Sequence, residues 1–281
     1  MSGEPNADDD DPELHRNGLM LQKLWETIWG KEMSLFGKSR WGNYSLAPIA
    51  VGIALNLACP LGVQADPPAV PAEDTLARGV AGGLIDQLRA DPVYAAIFKY
   101  HPGSEDGLRA KLTGVAKGPI ADLEQNAVAE ETKFVAGYYF PDLSLASDKA
   151  IYDVLKNDQA VAQKYAQRPD ICVAYFNGSI SGLRTPEGQS IRNALSEVRS
   201  KIIVSAMSNP TKRSPPASNQ VIIMQIVNAY KALGYDPQHL MRLQDIPSMP
   251  AAESCQIQTE YTNALVSLGE AQAGYVESIV H

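Results

Sequence analysis

The sequence lacks the clusters of histidine and cysteine from which most protein metal sites are built. It holds four histidines and three cysteines, and it contains neither an H-E-x-x-H nor a C-x-x-C motif. No two of the histidines share helical spacing; they are His15, His101, His239 and His281. We therefore predict no bound metal.

Motifs for nucleotide binding and acyl transfer are also missing. The chain has no G-x-x-x-x-G-K-[ST] loop and no G-x-G-x-x-G turn, so we predict no nucleotide cofactor. Residues 178–182 look like a nucleophile elbow, but Ile180 occupies the position that the nucleophilic serine needs. We interpret these residues as a polar loop, and we predict no cofactor of any kind.

Positive charge is scarce. The chain carries 24 Lys and Arg against 32 Asp and Glu, which gives a net charge of -8. Affinity for nucleic acids depends mainly on contacts of Lys and Arg with phosphates. We therefore expect no nucleic-acid partner.

One stretch, residues 41–65, has no charged residue. If translation begins at Met33, residues 33–65 have the basic start, the apolar centre and the small-residue cleavage site (after Ala65) of a signal peptide. Alternatively, the stretch remains as a single transmembrane helix with the domain outside the cytoplasm, because the basic residues precede it. A third interpretation is a buried helix of a cytoplasmic protein. We favour the signal peptide, since Pro48 and Pro60 weaken a spanning helix.

This interpretation divides the chain into four parts. Residues 1–40 are a disordered or short-helical tail, part of which precedes the alternative start at Met33. Residues 41–65 are the signal peptide or transmembrane helix, and residues 66–72 (DPPAVPA) are a Pro-rich linker. Residues 73–281 form an exported helical domain, periplasmic or secreted.

The three cysteines fit export. Cys59 lies inside the uncharged stretch, so cleavage after Ala65 would leave the even pair Cys172 and Cys255. An oxidising compartment would allow these two to form a disulfide, worth about 4.5 kcal/mol on the chain-entropy model. The alternative is two separate buried thiols, because free cysteine is a common core residue.

From residue 73 onward the hydrophobic pattern is helical. Helix starts are predicted where a proline follows a capping residue, at Asp91-Pro92 and at Thr185-Pro186. No alternating strand pattern of any length occurs, so the predicted fold class is all-α, an irregular multi-helix domain.

Several finer features are predicted from proline, glycine and polar residues. The helix that opens at Pro119 is predicted to end at residues 140–142, and residues 148–167 to form two short helices, 148–156 and 158–167. A final helix is expected from Ile257 toward the C-terminus. Gly79 and Gly83 are expected to admit a close helix, and the loop at residues 209–216 to leave Lys212 and Arg213 exposed.

Glu131 is the one candidate catalytic residue. It continues the apolar stripe that contains Ile120, Leu123 and Ala127, and Phe134 follows it. A carboxyl group buried on such a face has a raised pKa, which suits a general acid. The ordinary alternative is a glutamate at the edge of the stripe that reaches water.

The sequence supports a binding or structural role more than catalysis. The primary hypothesis is an exported helical protein, not an enzyme, whose partner is another protein or an envelope component. The alternatives are an exported hydrolase that uses Glu131, and a membrane-anchored component of an envelope assembly. The last requires that residues 41–65 are retained.

Overall fold

The structure is a computed structural model that describes residues 72–176, 185–214 and 219–280. Within these ranges there is no strand, and the fold is all-α, as predicted. The uncharged stretch 41–65, its cleavage site and the residues before it lie outside the described residues.

Eleven α-helices are described: α1 Ala72–Leu88, α2 Pro92–Tyr100, α3 Ser104–Ala116, α4 Leu123–Leu145, α5 Asp148–Lys164, α6 Pro169–Phe176, α7 Pro186–Ser208, α8 Asn219–Ala232, α9 Gln238–Met241, α10 Ala251–Ser267 and α11 Glu270–Val280. Two 3₁₀ turns, Ile120–Asp122 and Leu243–Ser248, precede α4 and α10.

The predicted helix starts at α2 and α7 are confirmed, and both are built by side-chain capping. Asp91 has an extended backbone, and its carboxylate accepts hydrogen bonds from the N–H groups of Val93 and Tyr94. Thr185 caps α7 in the same way through the N–H of Gly188. A proline follows each cap, where its missing N–H costs nothing because that group has no partner within the helix.

The main hydrophobic core takes buried side chains from every described α-helix except α6. Within this core, Tyr94 of α2 stacks on Phe134 of α4, with ring centroids 6.0 Å apart. A second, smaller cluster surrounds α6, which packs against α10. The helices α1 and α3 pack on each other at one side, and α3 also contacts α4.

The predicted end of α4 at residues 140–142 is wrong, because the helix continues through Pro141 to Leu145. Proline removes one hydrogen bond and crowds the preceding turn, which disfavours a helix interior. The turn after Pro141 is nevertheless held by burial of Asp142 and Leu143. Its end is satisfied by a hydrogen bond of 2.9 Å from the N–H of Ala146 to the carbonyl of Asp142. Tertiary packing here outweighs local propensity.

The prediction of two short helices between residues 148 and 167 is also wrong. A single helix, α5, covers Asp148–Lys164. At the predicted break between residues 156 and 158, Asp158 is buried and accepts a hydrogen bond from the Tyr175 hydroxyl of α6. The predicted break is therefore a contact between two helices.

The structure corrects two further predictions, one about a helix contact and one about the final helix. A Cβ at Gly79 or Gly83 would meet nothing within 4 Å, so no helix approaches α1 closely there. The expected final helix is interrupted at Gly269, which adopts a φ of +81° and ends α10 before α11 begins. A left-handed glycine after the last turn is a common helix stop.

The segment that follows α7 lies across the corner between α4 and α5. Lys212 is exposed, as predicted, but the prediction that Arg213 is exposed is wrong. Its guanidinium donates hydrogen bonds to the carbonyls of Ser144 and Ala146 and to the carboxylate of Asp148, at 2.6 to 2.8 Å. These groups complete the end of α4 and the start of α5, where backbone groups have no partner within the helix.

Candidate functional site

Glu131 lies inside the bundle, in the third turn of α4. Its side chain belongs to the face that also buries Ala127, Phe134 and Val135, and the residue is 4% exposed. The interpretation that it sits at the edge of the stripe and reaches water is therefore wrong. Ile120, by contrast, projects fully into solvent from the preceding 3₁₀ turn. The stripe is therefore exposed at Ile120 but buried from Ala127 onward, and Glu131 lies in its buried part.

Burial dominates the titration of Glu131. Loss of water around its carboxyl group raises its pKa to about 8, and the negative charge of Asp91 adds to the rise. Its Oε2 atom has no hydrogen-bond partner among the described residues. A buried carboxylate without a partner is very costly, so the group holds a proton at neutral pH.

Asp91 and Ser196 join α2 to α7 beside this carboxyl group. The Ser196 hydroxyl donates a hydrogen bond of 2.6 Å to Oδ1 of Asp91, and its oxygen accepts one of 3.2 Å from the N–H of Val93. The same Oδ1 caps α2 through the Val93 N–H at 2.9 Å. Asp91 is therefore fixed in position by the backbone of α2 and by the Ser196 side chain of α7.

Tyr94 completes the group. Its ring is buried against Phe134 and Phe98, and its hydroxyl has no hydrogen-bond partner among the described residues. Burial raises its pKa well above the usual value, and the charges of Glu131 and Asp91 raise it further. We call Asp91, Tyr94, Glu131 and Ser196 the interior polar cluster. A protonated carboxyl group and a phenol lie close together here, and the bundle covers both.

Two histidine–carboxylate pairs lie outside the interior polar cluster. Nε2 of His101 lies 2.8 Å from Oδ2 of the buried Asp142, and the His101 ring contacts that of Tyr138. Burial raises the pKa of Asp142, and the bond to His101 partly opposes this rise. Nδ1 of His239 lies 2.6 Å from a carboxylate oxygen of Glu260. Sequence analysis missed both pairs, because each joins residues of separate helical segments with no motif spacing between them.

Neither pair forms part of a metal site. Across residues 72–176, 185–214 and 219–280, no group of three or more histidine, cysteine, aspartate or glutamate side chains is placed to hold an ion. Each histidine instead has one carboxylate partner, which fixes the orientation of its ring.

The predicted pairing of Cys172 and Cys255 is confirmed at disulfide distance. The two Cα atoms lie 5.7 Å apart, well within the range for disulfides, and the bond joins α6 to α10. Both residues are buried in the second hydrophobic cluster. The pairing could be predicted from the number of cysteines alone, because cleavage after Ala65 leaves only these two.

Comparison with known protein families, with curated protein sequences and with solved structures finds no match to this chain. None of the described helices has the length and apolar content needed to cross a bilayer.

Proposed function

We propose that the chain is an exported helical protein with a non-enzymatic binding or structural role in the cell envelope or outside the cell. The observation that carries the proposal is the buried disulfide between Cys172 and Cys255. Structural disulfides form and persist in oxidising compartments and are rare where thiols are kept reduced. The uncharged stretch 41–65, which precedes the domain, supports the same location.

The position of the disulfide supports a structural use for it. Helix α6 has only eight residues, and isolated helices of that length are marginal in water. It is held by packing of Ile171, Tyr175 and Phe176 and by the covalent bond to α10. A short helix that is linked to the bundle by a disulfide suits a protein that must stay folded outside the cell.

The burial of Glu131 favours a binding or structural role over hydrolysis. A general acid must lie within hydrogen-bond reach of its substrate, and Glu131 is covered by its own bundle. The raised pKa of this residue is the observation that favours the second candidate, an exported hydrolase. Assay of the protein and of Glu131→Gln with ester, glycoside and peptide substrates distinguishes the two. Turnover that is lost in the variant would establish the hydrolase.

The export proposal is tested by the N-terminus of the protein produced in its native host. N-terminal sequencing should find a start at Asp66, and cell fractionation should place the protein outside the cytoplasm with both thiols resistant to alkylation until reduced. A protein that retains residues 41–65 in a membrane fraction would be the anchored assembly component instead. A cytoplasmic protein with alkylatable Cys172 and Cys255 would overturn the proposal.

A further inference from the structure

One end of the bundle brings together the C-terminal ends of α2, α4 and α7. The Tyr100 hydroxyl of α2 and the Ser208 side chain of α7 lie close to each other, where the two helices end. The backbone N–H of Thr211 donates a hydrogen bond of 2.7 Å to the carbonyl of Leu145, which places the chain after α7 against the end of α4. The Ser205 hydroxyl bonds both the N–H and the hydroxyl of Ser147. These contacts make this end a fixed surface.

This end exposes apolar side chains. Leu145 at the end of α4 is 42% exposed, and Val204 and Met207 on α7 are 38% and 41% exposed. Val204 and Met207 are three residues apart and therefore neighbours on the same face of α7. Single exposed apolar residues are ordinary, but three of the seven large ones exposed among the described residues lie at this end of the bundle, where three helices stop.

The charge at this end is opposite to that of the whole chain. Lys99, Lys201 and Lys212 are all exposed, and none pairs with a carboxylate among the described residues. The ammonium of Lys99 lies 4.9 Å from the ring centre of Tyr100, which places it beside the end of α7. Lys201 is one turn before Val204 on α7, and Lys212 adjoins Thr211. In a chain of net charge -8, this is a local positive surface.

Two acidic side chains at this end are engaged by partners within the bundle. Asp142 is buried and paired with His101, and Asp148 is paired with Arg213. Glu197, one turn before Lys201 on α7, is exposed and marks the limit of the positive surface. We call the six residues Leu145, Val204, Met207, Lys99, Lys201 and Lys212 the basic end.

We propose that the basic end docks on the headgroups of an anionic lipid bilayer. Lysines near such a surface are attracted to its negative potential, and apolar side chains beside them enter the boundary between headgroups and acyl chains. A soluble polyanion would satisfy the lysines but would leave Leu145, Val204 and Met207 in water. The combination of three lysines with three apolar side chains therefore fits a membrane surface better than a nucleic acid or an acidic polysaccharide.

This inference rests on the proposed binding role, for which it names the partner class. The two can fail separately. A protein that starts at Asp66 and lies outside the cytoplasm, but ignores lipid, keeps the proposed location and overturns the docking surface.

Lysine footprinting tests the contact within one molecule. The protein in the form that its native host produces is acylated by an amine-reactive ester, alone or with vesicles of phosphatidylglycerol mixed with phosphatidylcholine. Mass spectrometry then gives the labelling rate of each lysine. We expect Lys99, Lys201 and Lys212 to be protected, and Lys111 of α3 and Lys231 of α8, which are also exposed, to be labelled at unchanged rates. Equal protection of all five, or of none, would overturn the proposal.

Vesicle co-sedimentation tests the energetics. Replacing Lys99, Lys201 and Lys212 together with glutamine should weaken binding to the anionic vesicles about 100-fold, since each lysine contributes about fivefold. High salt should have a similar effect on the unaltered protein. A variant that combines Lys111→Gln with Leu76→Ser, at a residue 62% exposed on α1, is the matched control and should bind normally.

The apolar contribution is tested by Val204→Ser with Met207→Ser. Because both side chains are about 40% exposed, the melting temperature should fall only slightly, while binding to the vesicles should weaken several-fold. Equal binding to phosphatidylcholine alone, equal losses in the control variant, or binding to heparin without binding to vesicles would each overturn the proposal.

Discussion

Gly274 of α11 lies against the backbone of Asp148 at the start of α5, so closely that a Cβ at residue 274 would fall 2.5 Å from the Asp148 Cα. Real Cβ atoms essentially never approach another atom within 3.0 Å. The neighbour is main chain, which cannot rotate away as a flexible side chain would. Asp148 also accepts a hydrogen bond from Arg213. The contact between Gly274 and Asp148 therefore places α11 against the corner between α4 and α5.

Gly274→Ala should lower the free energy of unfolding by about 2–3 kcal/mol, because the added methyl forces α11 away from α5. The loss exceeds the gain of about 1 kcal/mol that alanine brings to a helix interior. Guanidinium chloride unfolding, followed by circular dichroism, measures the change.

Gly79→Ala in α1 is the matched control. This glycine is exposed within a helix, and a Cβ there meets nothing within 4 Å. It should raise the free energy of unfolding by up to about 1 kcal/mol. If both alanine variants stabilise the protein equally, α11 does not approach Asp148 as the structure describes.

Arg213→Ala should also destabilise the protein. It leaves the carbonyl of Ala146 and the carboxylate of Asp148 without a donor, which should cost about 2 kcal/mol. Lys212→Ala removes the neighbouring positive charge from an exposed site and should change stability by less than about 0.5 kcal/mol. Thermal unfolding of the two variants measures the change. Equal losses of stability in both would mean that the hydrogen bonds of Arg213 do not stabilise the fold.

The disulfide should account for a large part of the stability. Replacing Cys172 and Cys255 together with alanine should lower the free energy of unfolding by about 4 kcal/mol, because the unfolded chain loses the closed loop. Reduction of the unaltered protein with dithiothreitol should lower the unfolding midpoint similarly. The double variant should not respond to reductant, which makes it the control. An unaltered protein whose midpoint is insensitive to dithiothreitol would contradict a stabilising disulfide.

Local chemistry explains which features could be predicted from the sequence. The starts of α2 and α7 are determined within one turn, by a capping side chain and the proline after it. The disulfide could be predicted from the number of cysteines, since removal of Cys59 leaves one possible pair. All-α packing follows from the helical spacing of the apolar residues and from the absence of strand alternation.

Contacts between distant residues explain what could not be predicted. Pro141 has a local preference against helix, but the burial of Leu143 and the bond of Asp142 to His101 come from packing. Arg213 stands among prolines and polar residues, and only the fold brings the end of α4 to its guanidinium. The sequence left open whether Glu131 is buried or reaches water, because the part of a helix face that is buried depends on the helices packed against it.

Glu131 should make stability depend on pH in an unusual direction. Its pKa rises from 4.5 to about 8 on folding, so the folded protein keeps a proton that the unfolded chain releases. Its contribution to stability therefore falls as pH rises from about 4.5 to about 8 and is constant above that range. Glu131→Gln removes this dependence and should be about 3 kcal/mol more stable than the unaltered protein at neutral pH. The difference should be small near pH 5 and grow toward pH 8, as measured by denaturant unfolding at several pH values.

Asp91→Asn tests the electrostatic part of this explanation. Asparagine is as good a helix cap as aspartate, so the start of α2 should be retained, while the negative charge beside Glu131 is removed. Because that charge raises the pKa of Glu131, the variant should ionise Glu131 at lower pH, and carbon-13 NMR of the carboxyl group can follow the titration directly. Burial is the larger cause, so the pKa should remain above that of an exposed glutamate. A carboxyl group that titrates near 4.5 in the unaltered protein would mean that water reaches Glu131 and that α2, α4 and α7 pack less tightly than described.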